Sequence, residues 1–88
     1  MNRQPPSQES IESAIIDRIR TYCNLDGIPV DAQTPFENLA LDSILVMTII
    51  QELRAEFGIS IRSTLFYEHA NISEAVKALF LDLQTQNP

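Results

Sequence analysis

The 88-residue sequence has few of the residues that several common classes of protein require. Its one cysteine, Cys23, excludes an intramolecular disulfide and fits a reducing compartment. One cysteine and one histidine cannot form a structural zinc site. No apolar run approaches the roughly 20 residues that span a bilayer, and the N-terminus lacks the apolar core of a signal peptide. We therefore expect a cytoplasmic protein with no membrane partner and no metal.

Basic residues are also scarce. Six Lys and Arg residues against twelve Asp and Glu residues give a formal net charge of −6. Because nucleic-acid binding depends on basic side chains that neutralise phosphates, we expect no nucleic-acid partner. An acidic domain is better suited to being steered towards basic patches on other proteins. Apolar residues make up 44% of the chain, which argues against disorder, and the length allows one small domain.

Helical periodicity accounts for most of the apolar residues in the first half of the chain. A first helix is predicted to begin near Ser7 or Ser10, either of which can cap it. Its apolar face is formed by four residues at helical spacing: Ile11, Ile15, Ile19 and Tyr22. A second helix is predicted over residues 43–57, capped by Asp42 or Ser43 and ended by Gly58 in a left-handed conformation. Its apolar stripe is formed by Val46, Ile49, Ile50, Leu53 and Phe57.

Two further helical segments are predicted in the second half. A short turn lies around residues 63–67, and a last helix begins after Asn71, with Glu74 placed as in a capping box. The inner face of the last helix is formed by Ile72, Ala75, Val76, Leu79 and Leu83. Residues 58–62 alternate like a strand, but the stretch is too short and isolated to pair, so we interpret it as a loop.

The connection over residues 24–42 is long for a small domain. Gly27, Pro29 and Pro35 interrupt any continuous helix there, and such a loop is usually packed or functional. Four apolar residues are expected to hold it on the core: Ile28, Val30, Phe36 and Leu39. The prediction is an all-α fold, a small bundle of three main helices plus a short fourth helix, with this long loop between helices 1 and 2. Residues 7–83 form the domain, and residues 1–6 and 84–88 are flexible ends.

The chemistry-bearing feature is Asp42-Ser43 at the junction of the long loop and the second helix. A serine at a helix start lies where unpaired N–H groups and the positive end of the helix dipole gather. A phosphate ester on that hydroxyl would be stabilised there. Four residues alone do not name the modification, because Asp-Ser is also a good helix cap.

The surrounding residues resemble a known family. Residues 31–44, with the sequence DAQTPFENLALDSI, resemble the loop of acyl carrier proteins, whose usual pattern is TPF-x-x-L-G-x-DS-L. Residues 64–72 resemble the LF-x-x-x-P-T-I segment of polyketide synthase carrier domains, and Gly58 falls where that family ends its second helix. The resemblance covers residues 8–83. Ala40 replaces the usual glycine and Ala70 a common proline; the absence of the glycines of peptide-synthetase carriers favours a polyketide-type carrier.

The resemblance implies a function. A phosphopantetheinyl transferase, using magnesium and coenzyme A, would attach 4′-phosphopantetheine to Ser43, with Asp42 in the same cofactor-binding motif. The thiol of the arm would carry polyketide or related acyl intermediates as thioesters. The domain itself would have no catalytic residue. Its partners would be the transferase and the ketosynthase, acyltransferase and other domains of a polyketide synthase, and the isolated domain is expected to be monomeric.

Partner binding is predicted at the exposed side of the second helix. Helical spacing from Ser43 places Ile44, Met47 and Gln51 beside the arm, although Met47 could instead pack in the core. The full set of predicted partner-binding residues is Leu41, Ile44, Leu45, Met47, Thr48 and Gln51. Exposed apolar groups beside an attachment point are typical of a docking patch. The acids Glu52 and Glu56 come only further along the helix, so this surface is more apolar than in fatty-acid carriers.

Two other functions compete with this interpretation. A serine hydrolase would need a base and an orienting acid beside Ser43, but His69 is the one histidine, is expected to be exposed, and no oxyanion motif surrounds the serine. The stronger alternative is a non-covalent helical docking or interaction module in which Ser43 is only a helix cap.

Overall fold

The helical content of the predicted fold is confirmed. A computed structural model describes residues 6–23, 29–39 and 41–86. The helices are α1 (Gln8–Cys23), α2 (Ser43–Phe57), α3 (Leu65–Glu68) and α4 (Ile72–Gln86), and a 3₁₀ turn at Phe36–Asn38 lies in the loop before α2. The described residues contain no strand, so the stretch 58–62 is a loop as predicted.

Part of the predicted domain organisation lies outside the described residues. This holds for residues 1–5 of the expected N-terminal segment and residues 87–88 of the expected C-terminal segment, while α4 continues through Gln86. None of the helices in the described ranges is long and apolar enough to cross a membrane.

The helix ends follow the predicted caps. Ser7 caps α1, because its hydroxyl accepts a hydrogen bond from the Ser10 N–H (3.1 Å). Asn71 caps α4, where its Oδ1 accepts from the Glu74 N–H (2.9 Å). Gly58 ends α2 with φ of 64° and ψ of 35°, the left-handed conformation that glycine adopts without steric cost.

The core is formed where α1 packs against α2 and α4, with α3 packed on α4. The predicted apolar faces are buried, except that Phe57 and Leu83 at the helix ends are half-buried. Tyr22 differs from the prediction, because its ring is 43% exposed. Its hydroxyl donates a hydrogen bond to Glu52 on α2 (2.6 Å), a bond that holds the ring at the surface.

Candidate functional site

The loop before α2 is folded by its own polar side chains. The Gln33 N–H donates to the Asp31 carboxylate (2.9 Å), and the Asp31 N–H donates to the Thr34 hydroxyl (3.0 Å). These short-range bonds satisfy backbone groups that have no partner in a helix or sheet, and Asp and Thr commonly act in this way in turns. The 3₁₀ turn that follows is closed by the Asn38 N–H, which donates to the Pro35 carbonyl (3.0 Å).

Two backbone hydrogen bonds attach this loop to the far side of the bundle. The Phe36 N–H donates to the Ala70 carbonyl, and the Ser73 N–H donates to the Ala32 carbonyl, both at 2.8 Å. The Phe36 ring also stacks on Phe66 of α3 with ring centroids 5.2 Å apart, a favourable aromatic arrangement. The chain leading into α2 is therefore positioned by α3 and α4.

The predicted apolar anchors of the loop are confirmed where they are described. Val30 and Leu39 are buried, and Phe36 is half-buried against the core. Ile28 lies outside the described residues, as does Ala40, the position where the resembled family usually has glycine. Arg20 of α1 adds a polar anchor that the sequence did not predict, since its guanidinium donates to the Val30 carbonyl (2.9 Å).

The structure decides between the two possible caps of α2. Asp42 is the cap, because its Oδ1 accepts a hydrogen bond from the Leu45 N–H (2.8 Å) and its carbonyl accepts the first helical bond from Val46 (3.0 Å). Ser43 is the first residue of the helix and is exposed. Within the described residues, no group is hydrogen-bonded to the Ser43 hydroxyl. The capping role that the alternative function assigned to Ser43 is therefore filled by its neighbour.

The environment of Ser43 suits an anion. α2 has 15 residues, and the unpaired N–H groups of its first turn carry the positive end of the helix dipole. An ester phosphate on the Ser43 oxygen would lie at that end, where anions are stabilised. The last residue of α1, Cys23, lies near Asp42. Burial raises the pKa of the Cys23 thiol, and the Asp42 carboxylate raises it further, so this sulfur stays protonated and weakly nucleophilic.

The predicted partner-binding residues differ in exposure. Ile44 is 77% exposed and Gln51 is exposed, whereas Leu41 and Leu45 are half-buried and pack partly against the core. Met47 and Thr48 are half-buried, and the Thr48 hydroxyl donates to the Ile44 carbonyl (2.9 Å). An isoleucine this exposed beside an exposed serine leaves apolar surface in water that a partner could cover.

The acids of α2 lie on a different side of the helix, against α1. Arg18 donates to Glu52 (2.9 Å) and also pairs with Glu56. The hydrogen bond from Tyr22 lowers the pKa of Glu52, and Arg18 lowers it further; the same bond raises the pKa of Tyr22. The sequence analysis missed this cluster. The four-residue spacing of Glu52 and Glu56, which puts them on one helix face, was the signal that could have found it.

His69 is not exposed as expected. It is half-buried and lines a small surface cleft with Pro35, Phe36, Glu37 and Ala70. This cleft lies where the loop meets the start of α4, and the histidine is part of that packing.

Comparison with known proteins gives a family. The family model described as the phosphopantetheine attachment site matches residues 13–79. A non-reducing polyketide synthase of Pseudevernia furfuracea is 26% identical over 74 residues, which are 84% of this chain and 4% of the relative. A non-reducing polyketide synthase of Cladonia grayi is 33% identical over 70 residues, 80% of this chain and 3% of the relative.

A bacterial relative gives the same result. A phenolphthiocerol/phthiocerol polyketide synthase of Mycobacterium tuberculosis is 35% identical over 69 residues, 78% of this chain and 3% of the relative. The chain thus spans only 3–4% of the length of these relatives.

Fold and comparisons together define the class, a small helical domain that carries a covalently bound prosthetic group. The chain belongs to the phosphopantetheine-binding family of acyl carrier domains, and the relatives it resembles are polyketide synthases. The cofactor of the family is covalently attached 4′-phosphopantetheine. The start of α2 fits such a group, because Ser43 offers an exposed hydroxyl that the helix cap does not use.

Proposed function

We propose that this domain carries polyketide intermediates as thioesters on a 4′-phosphopantetheine arm attached to the Ser43 oxygen. One observation carries the proposal: within a chain of the phosphopantetheine-binding family, Ser43 is exposed at the first position of α2 while Asp42 caps the helix. The serine oxygen is therefore free to form an ester without loss of the cap.

The residues around Ser43 have distinct roles in this proposal. The phosphopantetheinyl transferase forms a bond from the Ser43 oxygen to the phosphorus of coenzyme A that bears the pantetheine; the bond from that phosphorus to the nucleotide phosphate breaks, and the hydroxyl proton is lost. The α2 N-terminus then stabilises the phosphodiester, and Asp42 keeps the first turn folded. When bound, the arm supplies a terminal thiol for acyl transfer.

The domain itself would contribute no catalytic group. Its contribution is to hold the tethered intermediate at a high effective concentration beside the active site of each partner, as a short flexible linker does. The proposed partners are the transferase, a ketosynthase, an acyltransferase and other domains of a polyketide synthase, acting on a monomeric carrier of residues 7–83.

Attachment is tested by intact mass after incubation with a broad-specificity phosphopantetheinyl transferase, magnesium and coenzyme A. The parent domain is expected to gain the mass of one phosphopantetheine, and Ser43→Ala is expected to gain nothing. Ser13→Ala, which removes an exposed serine of α1, is the matched control and should be loaded like the parent. A folded parent domain that gains no mass would instead favour the non-covalent interaction module, and reaction with an active-serine probe would favour a hydrolase.

The cargo needs a separate measurement. The domain purified from its own host should release the arm together with its acyl group in the mass spectrometer, and the acyl masses are expected to correspond to polyketide chains. Saturated fatty acyl masses alone would contradict the polyketide assignment while leaving attachment at Ser43 intact.

Partner docking is proposed on the exposed side of the first two turns of α2, with the half-buried Leu41, Leu45, Met47 and Thr48 around Ile44 and Gln51. Replacing Ile44 by serine removes apolar surface that a partner would bury, and an interface residue of this kind is worth about 1–2 kcal/mol, or roughly fivefold to thirtyfold in kcat/KM. Leu81→Ser is the matched control, because Leu81 is 63% exposed on α4. Equal effects of the two changes would contradict docking on this face.

A further inference from the structure

The first half of α2 has no charged side chain. From Ser43 to Gln51 every residue is neutral. The two acids further along, Glu52 and Glu56, are paired with Arg18 of α1, so their charge is largely compensated and directed away from Ser43. Electrostatic attraction of a partner to this domain therefore needs a source other than α2.

The basic side chains of the described residues are mostly used inside the chain. Arg20 donates to the Val30 carbonyl and Arg54 to the Ile61 carbonyl (3.0 Å from its Nε), and Arg62 pairs with Glu68 and Asp82. Lys77 is the one basic residue in the described ranges that forms no ion pair or hydrogen bond. The remaining acids thus have no cation beside them, and the net charge of −6 is expressed at the surface.

These unpaired acids lie at two ends of the bundle. The start of α1 borders the end of α2, because Ser7 and Ser10 line a cleft together with Phe57. Glu9 and Glu12 therefore lie about 20 Å along α2 from Ser43, at a rise of about 1.5 Å per residue. The opposite end holds the acids of the loop before Ser43.

The loop acids, defined as Asp31 and Glu37, are both exposed and make no ion pair within the described residues. Glu37 precedes Ser43 by six residues and is separated from it by at most about 20 Å of chain. A standard interface covers about 800 Å² on each partner, a patch about 30 Å across. One partner surface can therefore cover Ile44 and the loop acids together.

We propose that the phosphopantetheinyl transferase that modifies Ser43 docks with an apolar surface over Ile44 and with Lys or Arg side chains opposite the loop acids. This inference rests on the proposed function and assigns its electrostatic part to the loop. Exposed charges at an interface rim mainly raise the association rate and its dependence on salt. The loop acids steer the transferase, and the neutral first half of α2 provides the contact.

The test compares two double variants that change the net charge by the same amount. Asp31→Asn with Glu37→Gln removes the loop acids, and the asparagine oxygen can still accept the hydrogen bonds of the turn. Glu9→Gln with Glu12→Gln removes two acids at the far end. The measurement is the initial rate of phosphopantetheine transfer by a purified transferase at subsaturating carrier concentration over a range of salt concentrations, with urea unfolding to verify equal stability.

The loop variant is expected to lower kcat/KM by about threefold to tenfold at low salt and to approach the parent at high salt. The far-end variant is expected to stay within about twofold of the parent at every salt concentration. Equal rates for the two variants, or a loss that persists at high salt, would overturn the inference. Failure of the parent domain to gain mass at the end point would overturn attachment at Ser43 instead, so the two failures are distinguishable.

Discussion

The separation of the cap from the attachment point leads to a quantitative prediction about neighbouring residues. Asp42→Ala removes both the side-chain cap of α2 and the negative charge at its N-terminus. Loss of a cap costs about 0.5–2 kcal/mol, and loss of the charge about 0.3–1 kcal/mol. Ser43→Ala removes a hydroxyl that takes no part in the cap and introduces the best helix former at the first helical position. Its free energy of unfolding should stay within about 0.5 kcal/mol of the parent.

The assay is urea unfolding followed by far-UV circular dichroism, supported by thermal melting. For a domain of this size, 1 kcal/mol corresponds to about 4–8 °C in Tm, so Asp42→Ala should melt clearly below the parent. Asp42→Asn keeps a capping oxygen and should lie between the two. If Ser43→Ala destabilised the domain as much as Asp42→Ala, the serine would be the cap, and the reasoning from Asp42 would be refuted.

Three further predictions concern the scaffold. Ile49→Ala should lower the free energy of unfolding by about 2–5 kcal/mol, because Ile49 is completely buried; exposed Gln51→Ala on the same helix is the control, and a similar loss there would contradict the assignment of faces. Gly58→Ala should cost about 1 kcal/mol by urea unfolding, since φ is +64° although a Cβ would meet no atom within 4 Å; Gly58→Asn should cost less, and no cost for alanine would count against strain. Because Tyr22 lowers the pKa of Glu52, stability should fall as the pH drops below the ordinary glutamate value of 4.5; unfolding titrations of Tyr22→Phe should show a shallower fall, and an unchanged one would rule out this coupling.

The parts of the fold that the sequence predicted depend on local signals. α2 begins at Ser43 and ends at Phe57 as predicted, because the cap before it and Gly58 after it act within one turn of the chain. The buried stripe of α2 follows from helical spacing alone. The exposure of Ile44 could be predicted for the same reason, since it lies opposite that stripe.

The parts that the sequence did not predict depend on how the helices pack. Arg18 and Glu56 are 38 positions apart in the chain, and their pairing follows from the packing of α1 on α2. Tyr22 has the spacing of a core residue, yet its ring is at the surface because Glu52 accepts its hydroxyl. The choice of Asp42 over Ser43 as the cap was also open in the sequence, because both residue types cap helices well.

The two main-chain bonds between the loop and the start of α4 bear on how carrier domains can be recombined. Neither bond involves a side chain, so a hybrid joined near residue 58 can combine halves from divergent parents and still align their backbones. Ala70 contributes only its carbonyl, which a proline at that position would supply equally well. A proline at residue 36 or 73 would delete a donor instead. Chimaeric designs should therefore screen those two positions before any other in the interface between the halves.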